Sequence, residues 1–436
     1  MSSRWIRRGA LAAGVVGLSA ALLVVGTAVG SPRDLPPESG APPSRSAPGL
    51  TAAIEGLQAS LRRSPDHAGA WSDLGLAYVQ QARLTADPTY YPKAAGAFAK
   101  SLALQPRDNA AALVGQATLA AARHDFAAAL TLVNRSLAIN DYNATAYGVK
   151  TDALTELGRY DEALVAVQRM LDLRPGLDAF ARASYQRELR GDVGGARELL
   201  QQAADSATSP TDKAFCLFYL GELAWNNGDL TAARRSYDDA LAADPSYVPA
   251  LTGQAKTLAA AGDVAAALSL YREAVQEQPQ PAYVLELGEL LEASGQKQAA
   301  LEQYSVLRAT QRLFTAQGAN VDLELALFEA DHGAPTKALS YADAAYHARP
   351  SSVLAEDAYA WALHRNGRDR EALSVARRAV RLGTLLPSLR YHLGVIEAAV
   401  ADRAAARQEL SAALRLNPRF SPLQAAAARA LLRTLS

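Results

Sequence analysis

Four of the six histidines in this chain of 436 residues fall in its last quarter: His332, His347, His364 and His392. Glu329, Asp331, Asp357 and Glu397 lie near them in sequence. Imidazole and carboxylate are ligands that zinc, copper and nickel accept, so His332, His364 and His392, with Glu397, are candidates for a metal centre. No two of them stand four apart on one helix, however. Hydrogen-bonded histidines that tie helices together are therefore the default expectation. The lone cysteine, Cys216, has no partner for an intramolecular disulfide, and its setting (AFCLFYLG) suits a small buried hydrophobe. No P-loop, G-x-G-x-x-G, G-x-S-x-G or H-E-x-x-H sequence occurs, so neither an enzyme activity nor a cofactor is expected.

Whatever these groups do, other elements must place them. Half of the residues are hydrophobic and 20% are charged, which is ordinary for a folded globular chain. The 44 basic side chains are balanced by 44 acidic ones. A neutral chain has no bulk attraction for phosphate backbones, so nucleic acid is not an expected partner.

The N-terminus reads as a membrane segment. Residues 1–8 carry Arg4, Arg7 and Arg8, and Gly9–Gly30 then runs without a charge. At about 1.5 Å per residue such a helix spans a hydrocarbon core of roughly 30 Å. The arginines hold its start in the cytoplasm and send the rest of the chain outside. Two readings stay open: an uncleaved single-pass anchor, which the length favours, or a signal peptide cut after Ala28-Val29-Gly30, which would release a secreted protein. Residues 31–50 are rich in proline and serine and form a tether.

From residue 51 to 436 the chain repeats itself. Ala94, Ala129, Ala163, Ala196, Ala233, Ala267, Ala300, Ala338, Ala372 and Ala406 recur at steps of 33 to 38 residues. Twelve residues beyond six of them stand Pro106, Pro175, Pro245, Pro279, Pro350 and Pro418, which stop helices. Within a unit the apolar residues have helical spacing, as at Trp71, Leu74 and Tyr78 and again at Ala94, Phe98 and Leu102. Small residues recur on the first helix at Gly75, Ala117, Gly221, Ala255, Gly288, Ala326, Ala360 and Gly394, where close nesting of two helices is expected.

Trp71-x2-Leu74-Gly75-x2-Tyr78…Ala94-x3-Phe98…Pro106 resembles the tetratricopeptide-repeat signature, and Leu220-Gly221…Ala233-x3-Tyr237…Pro245 is a second clean copy. The resemblance implies an all-α, right-handed superhelical solenoid of about ten helix–turn–helix repeats, in addition to the hydrophobic N-terminal helix. Residues 51–65 and 422–436 read as helices that cover its two ends. It further implies a non-catalytic scaffold that binds a segment of another protein in the concave groove. At about eight units per superhelical turn, ten would nearly enclose that segment. Ser72 and Leu76 stand where chaperone-clamping relatives carry lysine and asparagine, so that specialised groove is not expected.

Groove positions carried over from the family select Tyr185, Glu188, Phe215, Phe218, Glu222, Trp225, Lys256, Glu289 and Glu292 as partner-binding candidates. Aromatics flanked by carboxylates suit a segment with apolar anchors and basic residues. A second apolar set, Leu323, Leu327, Trp361 and Val395, is expected to pack against an overlong helix at 301–318. That helix, an insertion at 84–92 and a loop at 206–213 break the regular pattern and are expected near partner contacts. Arg187, Glu329 and Glu397 occupy first-helix positions that the family usually fills with apolar residues. The alternative function is a metal-handling or ligand-sensing accessory protein using the histidine-rich repeats.

Overall fold

The computed structural model describes residues 47–435. The charged N-region, the apolar run Gly9–Gly30 and the tether as far as residue 46 lie outside the described residues. Among those described, no helix is long and apolar enough to cross a membrane. The fold is all-helical, with α1 spanning Ala47–Arg63, so the last four residues assigned above to the tether are helical.

Ten hairpins follow. Their first helices are α2 (Ala68–Thr85), α4 (Ala110–Ala122), α6 (Ala144–Glu156), α8 (Leu177–Glu188), α10 (Pro210–Asn226), α12 (Val248–Ala261), α14 (Pro281–Ala293), α16 (Asp322–His332), α18 (Val353–Arg365) and α20 (Pro387–Ala399). Their second helices are α3 (Tyr90–Leu104), α5 (Phe126–Ile139), α7 (Tyr160–Leu173), α9 (Val193–Asp205), α11 (Leu230–Ala243), α13 (Val264–Glu277), α15 (Lys297–Ala316), α17 (Pro335–Ala348), α19 (Asp369–Ala379) and α21 (Arg403–Leu416). A last helix, α22 (Gln424–Leu435), packs on α20 and α21. The loop expected at 206–213 is shorter than its sequence suggests. Pro210 starts α10 because its missing N–H costs nothing at the first helical position, and Ser209 caps the turn through Asp212 N.

The period has a physical basis in two buried contacts. All ten aligned alanines are at most 1% exposed. Four residues beyond the alanine, a ring fills the space between hairpins in four of the ten units, at Phe98, Tyr237, Tyr271 and Tyr304. Phe98 lies against Gly75 of its own unit and Gly115 of the next, where an added Cβ would stand 2.4 and 2.1 Å from the ring. Tyr237 lies against Gly221 and Gly253 in the same way, at 2.4 Å from either Cβ. Aspartates cap many second helices: Asp125, Asp192, Asp229, Asp263 and Asp402 each accept an N–H three residues on.

In most units the first helix touches the next first helix, as α2 does α4 and α16 does α18, whereas second helices make no comparable contact with one another. This inequality wedges each hairpin against its neighbour and winds the array with the first helices inside. The winding is tighter than the eight units expected. Partners in successive turns are separated by 192 to 197 residues, between five and six repeats. Backbone carbonyls of Arg83 and Leu84 accept from the side chains of Gln278 and Gln280. Asn320 N donates to Arg123 O at 2.8 Å. Arg349 pairs with Glu156 at 3.2 Å, and Val353 N donates to the Tyr160 hydroxyl at 2.9 Å. Thr384 donates to Leu189 O, and Asn417 Nδ2 to Trp225 O at 2.7 Å. The two windings thus meet at five successive junctions among the described residues.

Gly158 and Gly228 serve the junctions twice over. Both adopt φ +75°, which L side chains rarely tolerate, and a Cβ there would stand 2.1 Å from the Ser351 carbonyl carbon and 2.3 Å from Leu416 O. The irregular segments named above find a role here. The last turn of α2, where the insertion at 84–92 begins, supplies the first junction through Arg83 and Leu84, and the turn after α15 supplies the second through Asn320. Leu323, Leu327 and Trp361 do not pack mainly on α15 as expected. They share a core with Tyr160 and Leu189 of the preceding winding, and Val395 packs on that core.

Candidate functional site

The inner face of the superhelix is crowded and rich in charge, because the windings bring first helices together from two directions. A chamber of about 360 Å³ lies between α10, α12 and α14 on one side and the start of α20, the α21–α22 turn and α22 on the other. Glu222, Trp225, Lys256 and Glu289 line it, as do Tyr271, Leu285, Glu286 and Leu290, with Pro387, Phe420 and Arg429 across from them. Four of the nine groove candidates therefore meet in one space.

Each carboxylate of the wall has a distinct setting. Glu222 Oε1 accepts from the Tyr237 hydroxyl at 2.6 Å and from Lys256 Nζ. Burial works against the Lys256 ammonium, but the charges of Glu222 and Glu286 outweigh it and hold its pKa up. The ammonium also stands 6.0 Å from the Trp225 ring. Glu289 Oε1 lies 3.3 Å from His332 Nε2, and Glu292 Oε2 lies 3.3 Å from His332 Nδ1. The His332 side chain is only 3% exposed. Burial alone would lower its pKa, yet the hydrogen bonds to Glu289 and Glu292 raise it to about 9. Glu292, held below its usual range by the His332 bond, is the carboxylate of this group, while burial pushes Glu289 up to about 7, so Glu289 and His332 share protons near neutrality. Glu286 is pushed up to about 7 by burial, which Lys256 only partly opposes.

The other five candidates lie outside the chamber. Glu188 accepts from Asn226 Nδ2 at 3.2 Å, and burial raises it to about 7. Tyr185 packs on the core shared by the two windings. Phe215 and Phe218 stack into an aromatic group with Tyr219, at ring distances of 4.8 and 5.2 Å. Phe218 also meets Tyr237 at 5.8 Å, so these two rings are structural contacts of their own repeats. Glu292 binds His332 and Tyr304 on the outer side of α14.

The convergence of His332, His364 and Glu397 does not occur. His332 turns to Glu289 and Glu292, His364 Nδ1 bonds Asp369 at 2.7 Å, and Glu397 pairs with Arg377 at 3.4 Å. His392 bonds Asp357 at 2.9 Å and lies 3.1 Å from the Gln424 amide. His364 and His392 do come together, but on an aromatic ring: both stack on Trp361, at 5.0 and 4.3 Å. The indole N–H of Trp361 in turn donates to Asp331 at 2.8 Å. Among the described residues no group of three or more histidine, cysteine or acidic side chains could hold a metal ion. Of the three polar first-helix exceptions, Glu329 is buried against Arg308 at 3.1 Å and Glu397 against Arg377, whereas Arg187 is exposed and pairs with Asp192. Cys216 is fully buried.

Residues 114–178, 180–248, 218–282 and 252–312 match the tetratricopeptide-repeat family. Residues 114–312 carry tetratricopeptide repeats. No curated protein sequence matches the chain. Among solved structures, PilW, a type IV pilus biogenesis factor, is 20% identical with a TM-score of 0.39 and covers 46% of this chain and 92% of its own. YrrB, a tetratricopeptide-repeat protein with an unusual peptide-binding site, is 20% identical with a TM-score of 0.30 over 45% of this chain and 97% of its own. The human IFIT1 dimer with PPP-AAAA is 12% identical with a TM-score of 0.44, over 84% of this chain and 89% of its own.

Sequence reasoning found one wall of the chamber and missed the other. Glu286 could have been found, since it stands three residues before Glu289 and shares its helix face. Pro387, Phe420 and Arg429 could not, because they enter the site only when the second winding closes over the first.

Proposed function

We propose that this protein is a non-catalytic scaffold that binds a segment of another protein, with the chamber between α10, α12 and α14 as its central contact. The single observation that carries this reading is the meeting of Glu222, Trp225, Lys256 and Glu289 in one space of about 360 Å³, on repeats of a family built around such inner surfaces. Pockets of this size hold a few side chains or a small molecule. A chamber of this size takes an extended chain or a terminus and not a folded domain. The apolar run Gly9–Gly30 is proposed to anchor the chain, with the repeats outside the cytoplasmic membrane, or to release them after cleavage. Nucleic acid is not proposed as a partner, given the zero net charge.

A photo-crosslinking residue at Ala260, in the chamber wall, should trap a discrete polypeptide in intact cells, while the same residue at exposed Val165 should not. Trp225→Ala should then weaken binding of the identified partner by more than about 1 kcal/mol. Trapping from Val165 alone, or binding indifferent to Trp225→Ala, would move the site elsewhere.

A further inference from the structure

We infer that the chamber receives one basic group, the ammonium or guanidinium of a partner's lysine or arginine side chain, with Glu286 as its counterion. This rests on reading the array as a peptide-binding scaffold. Charge bookkeeping across the wall carries the inference. Three carboxylates line the inner side: Glu222, Glu286 and Glu289. Glu222 is paired with Lys256, and Glu289 with His332. Glu286 has no such partner of its own among the described residues. The Tyr271 hydroxyl engages its carboxyl, yet Glu286 Oε2 is buried without a hydrogen bond. A buried acceptor left open costs free energy that a donor from a ligand recovers.

The rest of the wall suits the stem of such a side chain. Trp225, Leu285 and Leu290 give apolar surface beside the carboxylate, on which a tetramethylene or guanidinopropyl stem can lie. The volume admits one long side chain and excludes a helix. On the opposite side stand Arg419 and Arg429, both exposed at the rim. They disfavour a run of basic residues and favour acidic neighbours on either side of the inserted cation.

Proton linkage follows from the same geometry. The groups facing Glu286 are Lys256 on α12, Glu222 on α10, Tyr237 on α11, Tyr271 on α13 and Tyr283 and Glu289 on α14, with the two arginines opposite. Together with burial they leave the empty site with a pKa of about 7, so a bound cation must displace a proton below that pH.

The test uses the full-length chain in mild detergent and two acetylated, amidated peptides. One has a single lysine between two glutamates; the other has norleucine in place of the lysine. The lysine peptide should bind at least tenfold more tightly than its norleucine analogue at pH 8, and its affinity should fall about fivefold from pH 7 to pH 6. Glu286→Gln should abolish the preference and leave only the weaker pH dependence that Glu289 contributes, while Glu286→Asp keeps both. Equal binding of the two peptides, a preference that survives Glu286→Gln, or no binding of either peptide overturns the inference. Should neither peptide bind while crosslinking from Ala260 still traps a polypeptide, the scaffold reading stands and the assigned chemistry falls. Should both fail, both fall.

Discussion

Arg349→Ala should loosen the third junction between the windings. The guanidinium lies 3.2 Å from Glu156 Oε2, both side chains are 7% exposed, and the Phe126 ring stands 5.5 Å away. Truncation leaves a carboxylate in the interior without its cation, and breaking a buried pair from one side costs about 3–5 kcal/mol. The loss should depend on pH, with a sign that the surroundings fix. Burial raises the Glu156 pKa, and Arg349 is the main group opposing that rise. A carboxyl with a raised folded pKa binds its proton better when folded, so the stability it confers falls as pH climbs above 4.5 towards the folded value. Without Arg349 the folded value climbs further and the decline continues to higher pH. The variant should therefore lose the full amount at pH 8. At pH 5 it should lose only about 1 kcal/mol, the share of the lost ring contact. Glu156→Gln in the same chain should restore most of the pH 8 loss. Urea unfolding followed by far-ultraviolet circular dichroism at the two pH values measures both. A loss below about 1 kcal/mol at pH 8, or equal losses at pH 5 and 8, would refute the argument that the junction is dry and tight.

Three further outcomes can be checked. Gly115→Ala puts a methyl carbon 2.1 Å from the Phe98 ring and should destabilise by about 1–3 kcal/mol, whereas Gly56→Ala, exposed on α1 with no atom within 4 Å, should stabilise by about 0.5–1 kcal/mol; thermal melts of the pair decide it. Glu286→Gln should raise stability by about 1–2 kcal/mol at pH 8 and leave it unchanged at pH 4, since its carboxyl titrates at about 7 when folded; urea titrations at both pH values give the difference. Asn417→Ala removes the side chain that reaches Trp225 O at 2.7 Å and should cost about 1–3 kcal/mol, read as a lowered melting temperature together with faster amide exchange in both α10 and α21.

The hairpin register was legible because it is a local matter. Ala163 or Ala233 must be small where two helices nest, and Pro245 must end a helix, whatever the distant chain does. The pitch was not legible, since a few degrees per hairpin decide whether the array opens or closes on itself. Yet the junctions left a mark that could be read. Gln278, Arg349 and Asn417 each stand directly before the proline that stops a second helix, and each sends its side chain to the preceding winding. The candidate site divided along the same line. Glu222, Trp225, Lys256 and Glu289 followed from repeat position alone, while Phe215 and Phe218 satisfy the same positional rule but are taken up by neighbouring rings. The histidines take the hydrogen-bonded role expected first, to Asp357, Asp369, Glu289 and Glu292, because stacked repeats bring side chains close without aiming them at one point. Trp361, and not a metal ion, lies between His364 and His392.

The windings that touch also set how this molecule answers force. A repeat array whose units meet only their neighbours stretches like a soft coil, each unit yielding a little. Here, pulling the ends apart must first shear Arg349 from Glu156 and Asn417 from Trp225, contacts nearly two hundred residues apart along the chain. Extension should begin stiffly and then advance in discrete jumps as one clasp after another lets go.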